Sequence, residues 1–516
     1  MPEIAIIGAG PGGLTAGMLL ASQNFDVTIY EAENSVGGRS GWISGEGFTF
    51  DVGSTIFMMP FILEEIFAET GRSLHDYVNL EKLDPFYKVN YPDGSSLKAR
   101  PDREKFIESI ANISEEDAER YEDFMEDNAR KMRLTLPVLQ RPYSSWLDLF
   151  NRDVFRLLPV LNPHRSLWKE LDRYFSDDRV KLGFTFQSNY LGMSPFNCPS
   201  MFSIIPFLEF NWGIYHVEGG LNRLARAKAE VFQELGGELV FNKEVKKAQV
   251  EKGRVTGLVF SDGDEVKVDE VVMNSDFAWS MKNLFPSHTR HKYTDSRLDR
   301  LNYSCSAFML YLGLDRKFEN LEHHNVYISS QYRENFKAIE AEREMPSDPS
   351  FYVQNASLND DTVAPSGCST LLALVPVSNL RSSMNWDISK ENYRDMVLDR
   401  MNEEFGDGEI RDHIVYERMI DPADWRDDFR VEHGAVFNLG HNISQMMIFR
   451  PRNNFEEYKN VWLVGGGTNP GSGLPTIYES GRIAANLLQK KYGREYSFVR
   501  REKIKRAFQK QASYVE

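Results

Sequence analysis

A glycine turn near the start of the chain has the spacing of a dinucleotide-binding site. Gly8, Gly10, Gly12 and Gly13 directly follow the apolar segment Ile4–Ile7 and precede a predicted helix. The first glycine permits the tight bend, the second admits a pyrophosphate against the backbone, and the last lets the helix and strand pack closely. The helix N-terminus then offers unpaired N–H groups and a positive dipole end to the phosphates. The motif therefore predicts a nucleotide cofactor held by its diphosphate.

An acidic residue and a second pair of glycines refine this prediction. Glu31 ends the second predicted strand, where its carboxylate can accept a hydrogen bond from a ribose hydroxyl and would repel a 2′-phosphate. Gly37, Gly38, Arg39 and Ser40 follow shortly afterwards. In isolation they could be an ordinary turn with a surface arginine, but next to the fingerprint the guanidinium can pair with a phosphate. The combination predicts FAD rather than NAD.

The elements that must position these motifs have the pattern of an α/β protein. Nucleotide-site signals occur at both ends and in the middle of the chain, so the fold class predicted is α/β, with a discontinuous Rossmann-like FAD-binding domain and an inserted substrate domain of mixed sheet and helices. The predicted strands are Ile4–Ile7, Val27–Tyr30, Glu238–Phe241, Val255–Phe260, Val271–Met273, Ala307–Leu314 and Leu371–Pro376, and the predicted helices include Pro11–Gln23 and Leu221–Leu235.

The domain boundaries follow from the positions of these nucleotide-site signals along the chain. Residues 1–75, 215–285 and 450–490 are assigned to the FAD-binding domain. Residues 76–214 are expected to be helical and could face a membrane, whereas residues 286–449 would form the substrate domain and 491–516 a basic tail.

Composition excludes several classes of function. The formal net charge of −16 argues against general nucleic-acid binding, because no basic surface could outweigh such a field. The 3 cysteines are too sparse for a disulfide framework or a zinc site, which predicts reduced thiols in a cytoplasmic protein. No apolar run reaches the roughly 20 residues of a spanning helix.

Further motifs carry a family resemblance over most of the chain. They comprise Phe50–Thr55, Val217–Gly220 and Tyr303–Phe308, followed by a second glycine-rich loop at 465–475 that leads into a helix. Together with the N-terminal fingerprint, these blocks resemble the bacterial phytoene and dehydrosqualene desaturases, a carotenoid desaturase family within the FAD-dependent amine oxidase superfamily. Val245 would contact the adenine through its backbone. The resemblance implies that FAD is bound by Gly8, Gly10, Gly12, Gly13, Glu31, Gly38, Arg39, Ser40, Gly53, Ser54, Val245, Gly466, Gly467, Asn469, Gly473, Leu474 and Pro475.

The resemblance also implies the chemistry. A long apolar polyene would enter a tunnel, lose a hydride to the flavin and gain a double bond, and oxygen or a quinone would then reoxidise the flavin. Glu209, His216 and Glu479 are available as a base or polar contact, and the sequence singles out none of them as catalytic. The candidates for the tunnel wall are Phe184, Phe186, Phe207, Phe210, Trp212, Phe308, Leu310 and Leu312.

One departure from the family pattern keeps an alternative open. Asn469 stands where many desaturases carry histidine, and relatives that oxidise terminal methyl groups of carotenoids can carry asparagine there. The stretch Ser304–Phe308 favours desaturation over this terminal oxidase activity. Two further alternatives are a non-enzymatic binder of prenylated proteins, which would not need an intact flavin signature, and an amine oxidase.

The end of the chain predicts a membrane contact. Lys490–Lys510 is rich in lysine and arginine, and on a helix Ile504, Ala507 and Phe508 would share one side. A basic helix with an apolar stripe can lie on anionic lipid, so we expect peripheral association with the inner face of the cell membrane. A solvated terminal helix would fit the same pattern.

Overall fold

The computed structural model describes residues 1–494, except for 161, 163, 342–345, 347, 407 and 408. In this part of the chain the strands are β1 (Glu3–Ile7), β2 (Asp26–Tyr30), β3 (Trp42–Gly45), β4 (Phe48–Asp51), β5 (Leu80–Lys82), β6 (Tyr87–Asn90), β7 (Ser96–Ala99), β8 (Tyr215–Val217), β9 (Glu238–Val240), β10 (Val245–Glu251), β11 (Arg254–Phe260), β12 (Glu265–Lys267), β13 (Glu270–Met273), β14 (Ser306–Leu314), β15 (His324–Tyr327), β16 (Phe351–Gln354), β17 (Ser369–Val377), β18 (Ile414–Ile420) and β19 (Val461–Leu463). The helices are α1 (Pro11–Ala21), α2 (Pro60–Glu69), α3 (Arg103–Ala111), α4 (Glu115–Glu119), α5 (Tyr121–Leu139), α6 (Arg152–Leu157), α7 (Leu167–Leu171), α8 (Asp178–Gly183), α9 (Ile204–Trp212), α10 (Asn222–Glu234), α11 (Phe277–Asn283), α12 (Asp295–Asp299), α13 (Tyr332–Glu340), α14 (Trp386–Phe405), α15 (Pro422–Asp427) and α16 (Leu474–Lys491).

A parallel sheet forms the first layer, with strand order β19-β13-β1-β2-β9. Side chains of β1 alternate between its two faces, because successive residues of a strand point in opposite directions. Ile4 and Ile6 pack with α1, α10 and α16, whereas Ala5 and Ile7 pack with the small antiparallel sheet β10-β11-β12. Both faces are thus covered, as parallel sheets require.

A mixed sheet forms the second layer, in the order β18-β14-β17-β16-β15-β6-β7. One face of β14 packs on α14, and the other turns toward β3 and β4. β6 and β7 come from the segment 76–214, which the sequence analysis expected to be helical. They are short strands, and β6 pairs with β15 far along the chain, so no local pattern marks them.

Helices α3, α5 and α9 contribute to an aromatic cluster with Phe175 and Phe184. The rings of Phe106 and Phe210 stack with centroids 4.2 Å apart, and Phe175 and Phe184 stack at 4.7 Å. These rings belong to the main hydrophobic core. Within the described residues, no helix combines the length and apolar character needed to cross a bilayer.

Candidate active site

A single large cavity collects most of the predicted cofactor residues. Its volume is about 1120 Å³, and its wall takes residues from both sheets, from α9 and from the loop before α16. The predicted residues that line it are Gly8, Gly10, Glu31, Gly38, Arg39, Ser40, Gly53, Ser54, Val245, Gly466, Gly473, Leu474 and Pro475. Gly12 and Gly13 lie in the first turn of α1, and Gly467 and Asn469 lie in the loop before α16; these four residues do not line the cavity. The two glycine loops therefore converge, although hundreds of residues separate them in sequence.

The N-terminal turn has no room for side chains. Gly8 has a φ of +95°, which L-residues rarely adopt. A Cβ on Gly13 would lie 2.4 Å from the carbonyl oxygen of Gly8, and one on Gly12 would lie 3.0 Å from the backbone nitrogen of Gly465. α1 starts at Pro11, so its positive end faces the cavity that these glycines leave open.

Two side chains fix the shape of this turn. Asn274, just after β13, accepts a hydrogen bond from the N–H of Gly13 at 2.9 Å and donates to the carbonyl oxygen of Gly8 at 3.2 Å. Glu31 accepts from the N–H of Ala9 at 2.6 Å and from that of Glu33 at 3.0 Å. Burial raises the pKa of Glu31, and both backbone hydrogen bonds oppose that rise. The carboxylate thus lies at the end of β2 beside the glycine turn, as the fingerprint requires.

Arg39 lies in a buried cluster of polar groups at the cavity wall. Its Nη1 donates to the carbonyl oxygen of Val436 at 2.7 Å. In the amide orientation that satisfies both its atoms, Asn438 accepts from Arg39 and donates to Asp276 at 2.6 Å. Burial lowers the pKa of Arg39, and the charge of Asp276 opposes this. Since Asp276 partly neutralises it, the guanidinium can lie buried at this wall.

One buried arginine, Arg450, holds the C-terminal glycine-rich loop in place. Arg450 donates to five backbone carbonyls: Nη2 reaches Gly466 at 2.6 Å and Leu439 at 3.1 Å, Nε reaches Thr468 at 3.1 Å, and Nη1 reaches Gly440 at 3.2 Å and Gln445 at 3.3 Å. Burial lowers the pKa of Arg450 to about 10, which leaves it charged at neutral pH. Nothing in the sequence reveals this carbonyl clamp.

His441 is a cavity residue that the sequence analysis did not identify. Its Nε2 accepts a hydrogen bond from the backbone N–H of Ser472 at 3.0 Å, so it fixes the turn before α16. Burial lowers the pKa of His441 well below its usual value, with the charge of Arg450 adding to the effect. The ring is therefore neutral, as its acceptor role demands.

Asn469, the residue that kept the terminal oxidase alternative open, does not face the cavity. Its Nδ2 donates to the carbonyl oxygen of Met447 at 2.9 Å, and its own carbonyl accepts from Asn453 at 2.9 Å. The neighbouring Pro470 lines the wall instead. In this structure the amide side chain supports the loop and offers no polar group to a substrate.

The apolar part of the cavity differs from the predicted tunnel. Phe186 lines it, but the other predicted residues pack in core clusters elsewhere: Phe184, Phe207, Phe210 and Trp212 around the helices, and Phe308, Leu310 and Leu312 against α14. Ala307 and Met309 of β14, and Ile205 and Leu208 of α9, line the cavity instead. Because β14 is buried on both faces and α9 is apolar on nearly all sides, hydrophobicity could not indicate which face meets the cavity.

The three candidate bases have different surroundings. His216 pairs with Asp360 at 2.8 Å and lies in a buried group with His323, away from the cavity. Glu479 lines the cavity, but Arg482 and Gln140 already bind its Oε1, at 3.3 and 3.0 Å. Glu209 lies just behind the wall on α9 and is discussed below.

The residues present fit a flavin dinucleotide. Gly8 and Gly10 line the cavity without side chains, next to the N-terminus of α1, and this suits a diphosphate. Glu31 lies where a ribose hydroxyl would donate, and Val245 lines the cavity beside Glu244. The C-terminal loop, held by Arg450, would present its backbone to the rest of the cofactor. When bound, the flavin supplies a hydride acceptor, which no side chain can replace.

Comparison with known proteins agrees with this site. The family model for flavin-containing amine oxidoreductases matches residues 11–489. A 4,4'-diapophytoene desaturase (4,4'-diapolycopene-forming) of Methylomonas sp is 43% identical over 490 residues, covering 95% of this chain and 96% of the relative. An all-trans-zeta-carotene desaturase of Myxococcus xanthus is 37% identical over 501 residues, covering 95% and 94%.

A solved structure of putrescine oxidase bound to putrescine shares the fold. Its TM-score is 0.62 at 12% identity, with coverage of 96% of this chain and 99% of that one. The predictions of an α/β flavoenzyme fold, of FAD and of the carotenoid desaturase family are confirmed, and no comparison favours the terminal oxidase. The chain belongs to the flavin-containing amine oxidoreductase family and, within it, to the carotenoid desaturases.

Proposed function

We propose that this enzyme introduces double bonds into a long apolar polyene of the diapophytoene or phytoene type. The observation that supports this most directly is the cavity itself, in which the cofactor loops and an apolar chamber form one continuous space. Ile205, Leu208 and Met309 offer contacts without hydrogen-bonding groups to a hydrocarbon. The relative named for 4,4'-diapophytoene makes that compound the first substrate to test.

A pigment assay tests this function. Expressed in a host that accumulates colourless 4,4'-diapophytoene, the enzyme should yield a hydrocarbon whose absorbance moves to longer wavelengths. Its mass should fall by two hydrogens for each double bond gained, and a variant lacking the N-terminal glycine turn serves as the control. A product that gains oxygen would instead support the terminal oxidase, and an unchanged precursor would contradict both activities.

We also propose that the enzyme collects its substrate from a lipid surface. An apolar rim, formed by Trp146, Leu147, Phe150, Phe155 and Leu158, is exposed beside the cavity, with Leu147 77% and Phe150 71% exposed. The rim is joined to the cavity wall: the rings of Trp146 and Phe449 are 5.4 Å apart, and the nearby Gln140 and Met446 line the cavity. Arg152 and Arg156 are exposed on α6 among these residues and suit anionic headgroups.

The basic tail gives independent support for this proposal from sequence only, because residues 495–516 lie outside the described part of the chain. Vesicle-binding assays distinguish the contribution of the apolar rim from that of the basic tail. Replacing Leu147 and Phe150 together by glutamate should weaken binding to anionic vesicles more than about tenfold, because each large apolar side chain contributes about 1.5–3 kcal/mol when buried.

The matched control is Ile388→Glu, which changes a residue on α14 that is 74% exposed. It should leave vesicle binding as in the wild type. A separate truncation of residues 494–516 measures the contribution of the tail. If the double rim variant sediments with vesicles as the wild type does, the rim has no role in membrane contact.

The reduced flavin must pass its electrons to a second substrate. We propose oxygen or a membrane quinone, since the rim would place the cavity mouth at the lipid surface where quinones dissolve. Reoxidation measured without oxygen, with and without an added quinone, distinguishes the two acceptors.

A further inference from the structure

We propose that Glu209, acting through the hydroxyl of Tyr190, takes up the proton that leaves the polyene in each desaturation step. This inference rests on the proposed desaturase function and extends it. A new double bond requires that one carbon lose a hydride and its neighbour lose a proton. The cofactor explains the hydride, but the apolar cavity must also provide a destination for the proton.

Glu209 lies directly behind the cavity wall. It is on α9 next to Leu208, which lines the cavity, and its side chain is fully buried. Its Oε2 accepts hydrogen bonds from Tyr87 at 3.0 Å and from the side chain of Gln187 at 2.9 Å. Its other oxygen, Oε1, is buried and takes no part in these bonds.

Tyr190 connects this carboxyl group to the cavity. Tyr190 lines the wall, and it lies close enough to Glu209 for each group to affect the pKa of the other. Among the described residues, the buried Tyr190 hydroxyl and the buried Oε1 of Glu209 make no hydrogen bond, so both are available to a proton. Tyr352 is a second tyrosine of the cavity wall near Tyr190, and its hydroxyl donates to Thr55 at 3.0 Å. Thr55 directly follows Ser54 of the predicted cofactor site. Tyr190 is therefore in the part of the cavity where cofactor residues and apolar residues meet.

The electrostatic surroundings suit a proton acceptor that works near neutral pH. The groups that face Glu209 are Tyr87 from β6 together with Gln187 and Tyr190 from the segment Phe186–Leu191. None of them is a cation, and within the described residues Glu209 has no ion pair. Burial raises the pKa of Glu209 to about 7, and the neighbouring Gln187, Tyr87 and Tyr190 oppose this rise. Burial also raises the pKa of Tyr190, which therefore stays neutral.

Each desaturation step removes one hydride and one proton from neighbouring carbons of the polyene. The hydride would leave one carbon with its electron pair, and flavin, when bound, would supply the acceptor. On the adjacent carbon the C–H bond breaks, and its electron pair becomes the new π bond. That proton passes to the oxygen of Tyr190 as the phenolic proton passes to Glu209, which becomes a neutral acid. The carboxyl proton is released when the quinone or oxygen takes up two electrons and two protons.

An infrared titration tests the acceptor without any turnover. In the flavin-loaded wild type, a protonated-carboxyl band should titrate with a midpoint near pH 7, and it should be absent from Glu209→Gln. Tyr87→Phe should move the midpoint upward, because it removes a hydrogen bond to the charged form. The matched control, Glu340→Gln, alters another carboxyl group whose pKa is raised by burial, away from the cavity, and should leave the band unchanged. If no band titrates between pH 6 and about 8, the proposal fails.

Single-turnover kinetics test the role of the pair. With substrate and without oxygen, Glu209→Gln should slow flavin bleaching by about 100-fold, which is in the usual range for a lost general base. Flavin content and KM should stay as in the wild type. The wild-type rate should rise with pH through the same midpoint, because the carboxylate is the active form, and this dependence should disappear in Glu209→Gln.

Tyr190→Phe supplies the second variant, and it leaves the carboxyl group in place. This variant should bleach more slowly while retaining the infrared band. It therefore tests the proton route even if Glu209→Gln loses its flavin. Wild-type bleaching rates in Tyr190→Phe would overturn the route. If the polyene does not bleach the flavin of the wild-type enzyme, the proposed desaturase function is contradicted. The infrared titration does not depend on turnover, so it tests Glu209 separately.

Discussion

Replacing Arg450 by methionine should lower the free energy of unfolding by about 3 kcal/mol or more and release the flavin. Arg450 is fully buried and donates to five carbonyls, including those of Gly466 and Thr468 in the C-terminal loop. Methionine has similar length but no donors, and each buried carbonyl left without a partner costs about 1–3 kcal/mol. Lysine should rescue only part of the loss, because it cannot reproduce the planar set of guanidinium donors. Denaturant unfolding and flavin absorbance measure the two effects.

Arg452→Met is the control for this substitution. Arg452 is nearby and half-buried, but its guanidinium donates to one carbonyl, that of Ser144. We expect a loss of no more than about 1 kcal/mol and retention of flavin. An Arg450→Met protein with wild-type stability and flavin content would show that the clamp is not needed.

Replacing Gly13 by alanine should reduce flavin affinity by at least about tenfold. The new Cβ would lie 2.4 Å from the carbonyl oxygen of Gly8, which is too close for any real contact. Since the obstacle is backbone, relief requires α1 to move away from the turn that binds the diphosphate, and a cost of about 1.4 kcal/mol already corresponds to tenfold. Flavin titration of the purified apoprotein gives the affinity.

Gly17→Ala is the matched control in the same helix. Its Cβ would meet flexible groups, the Cδ1 of Ile29 at 3.0 Å and ring carbons of Phe232 at 3.2 Å. These side chains can shift slightly, so flavin affinity should remain within about threefold of the wild type. Equal affinities for all three proteins would refute the steric argument.

The cofactor half of the site was predictable because its constraints are local. A strand, three glycines, a helix start and Glu31 fall within a short stretch, and each has a backbone reason that sequence alone exposes. The structure puts β1, α1 and β2 within a few residues of the predicted bounds.

The substrate half was less predictable because its information is not local. Phe308 and Met309 are adjacent and equally buried, yet only Met309 lines the cavity. Which face of β14 meets α14 depends on how the second sheet packs, and a strand covered on both sides leaves no period-two signal. The carbonyl clamp of Arg450 could not be predicted from the sequence for another reason. Its partners are backbone carbonyls, which every residue possesses.

The strand order of the first sheet also bears on how the protein is made. β1 is synthesised long before its neighbour β13, which begins at Glu270, and the outer strand β19, which begins at Val461. During translation the emerging β1 must therefore wait for most of the polypeptide before its sheet can be completed. Cofactor loading is consequently expected only after the loop that follows β19 has been synthesised, and in a cell short of flavin this loop would lack the ligand that it helps to bind.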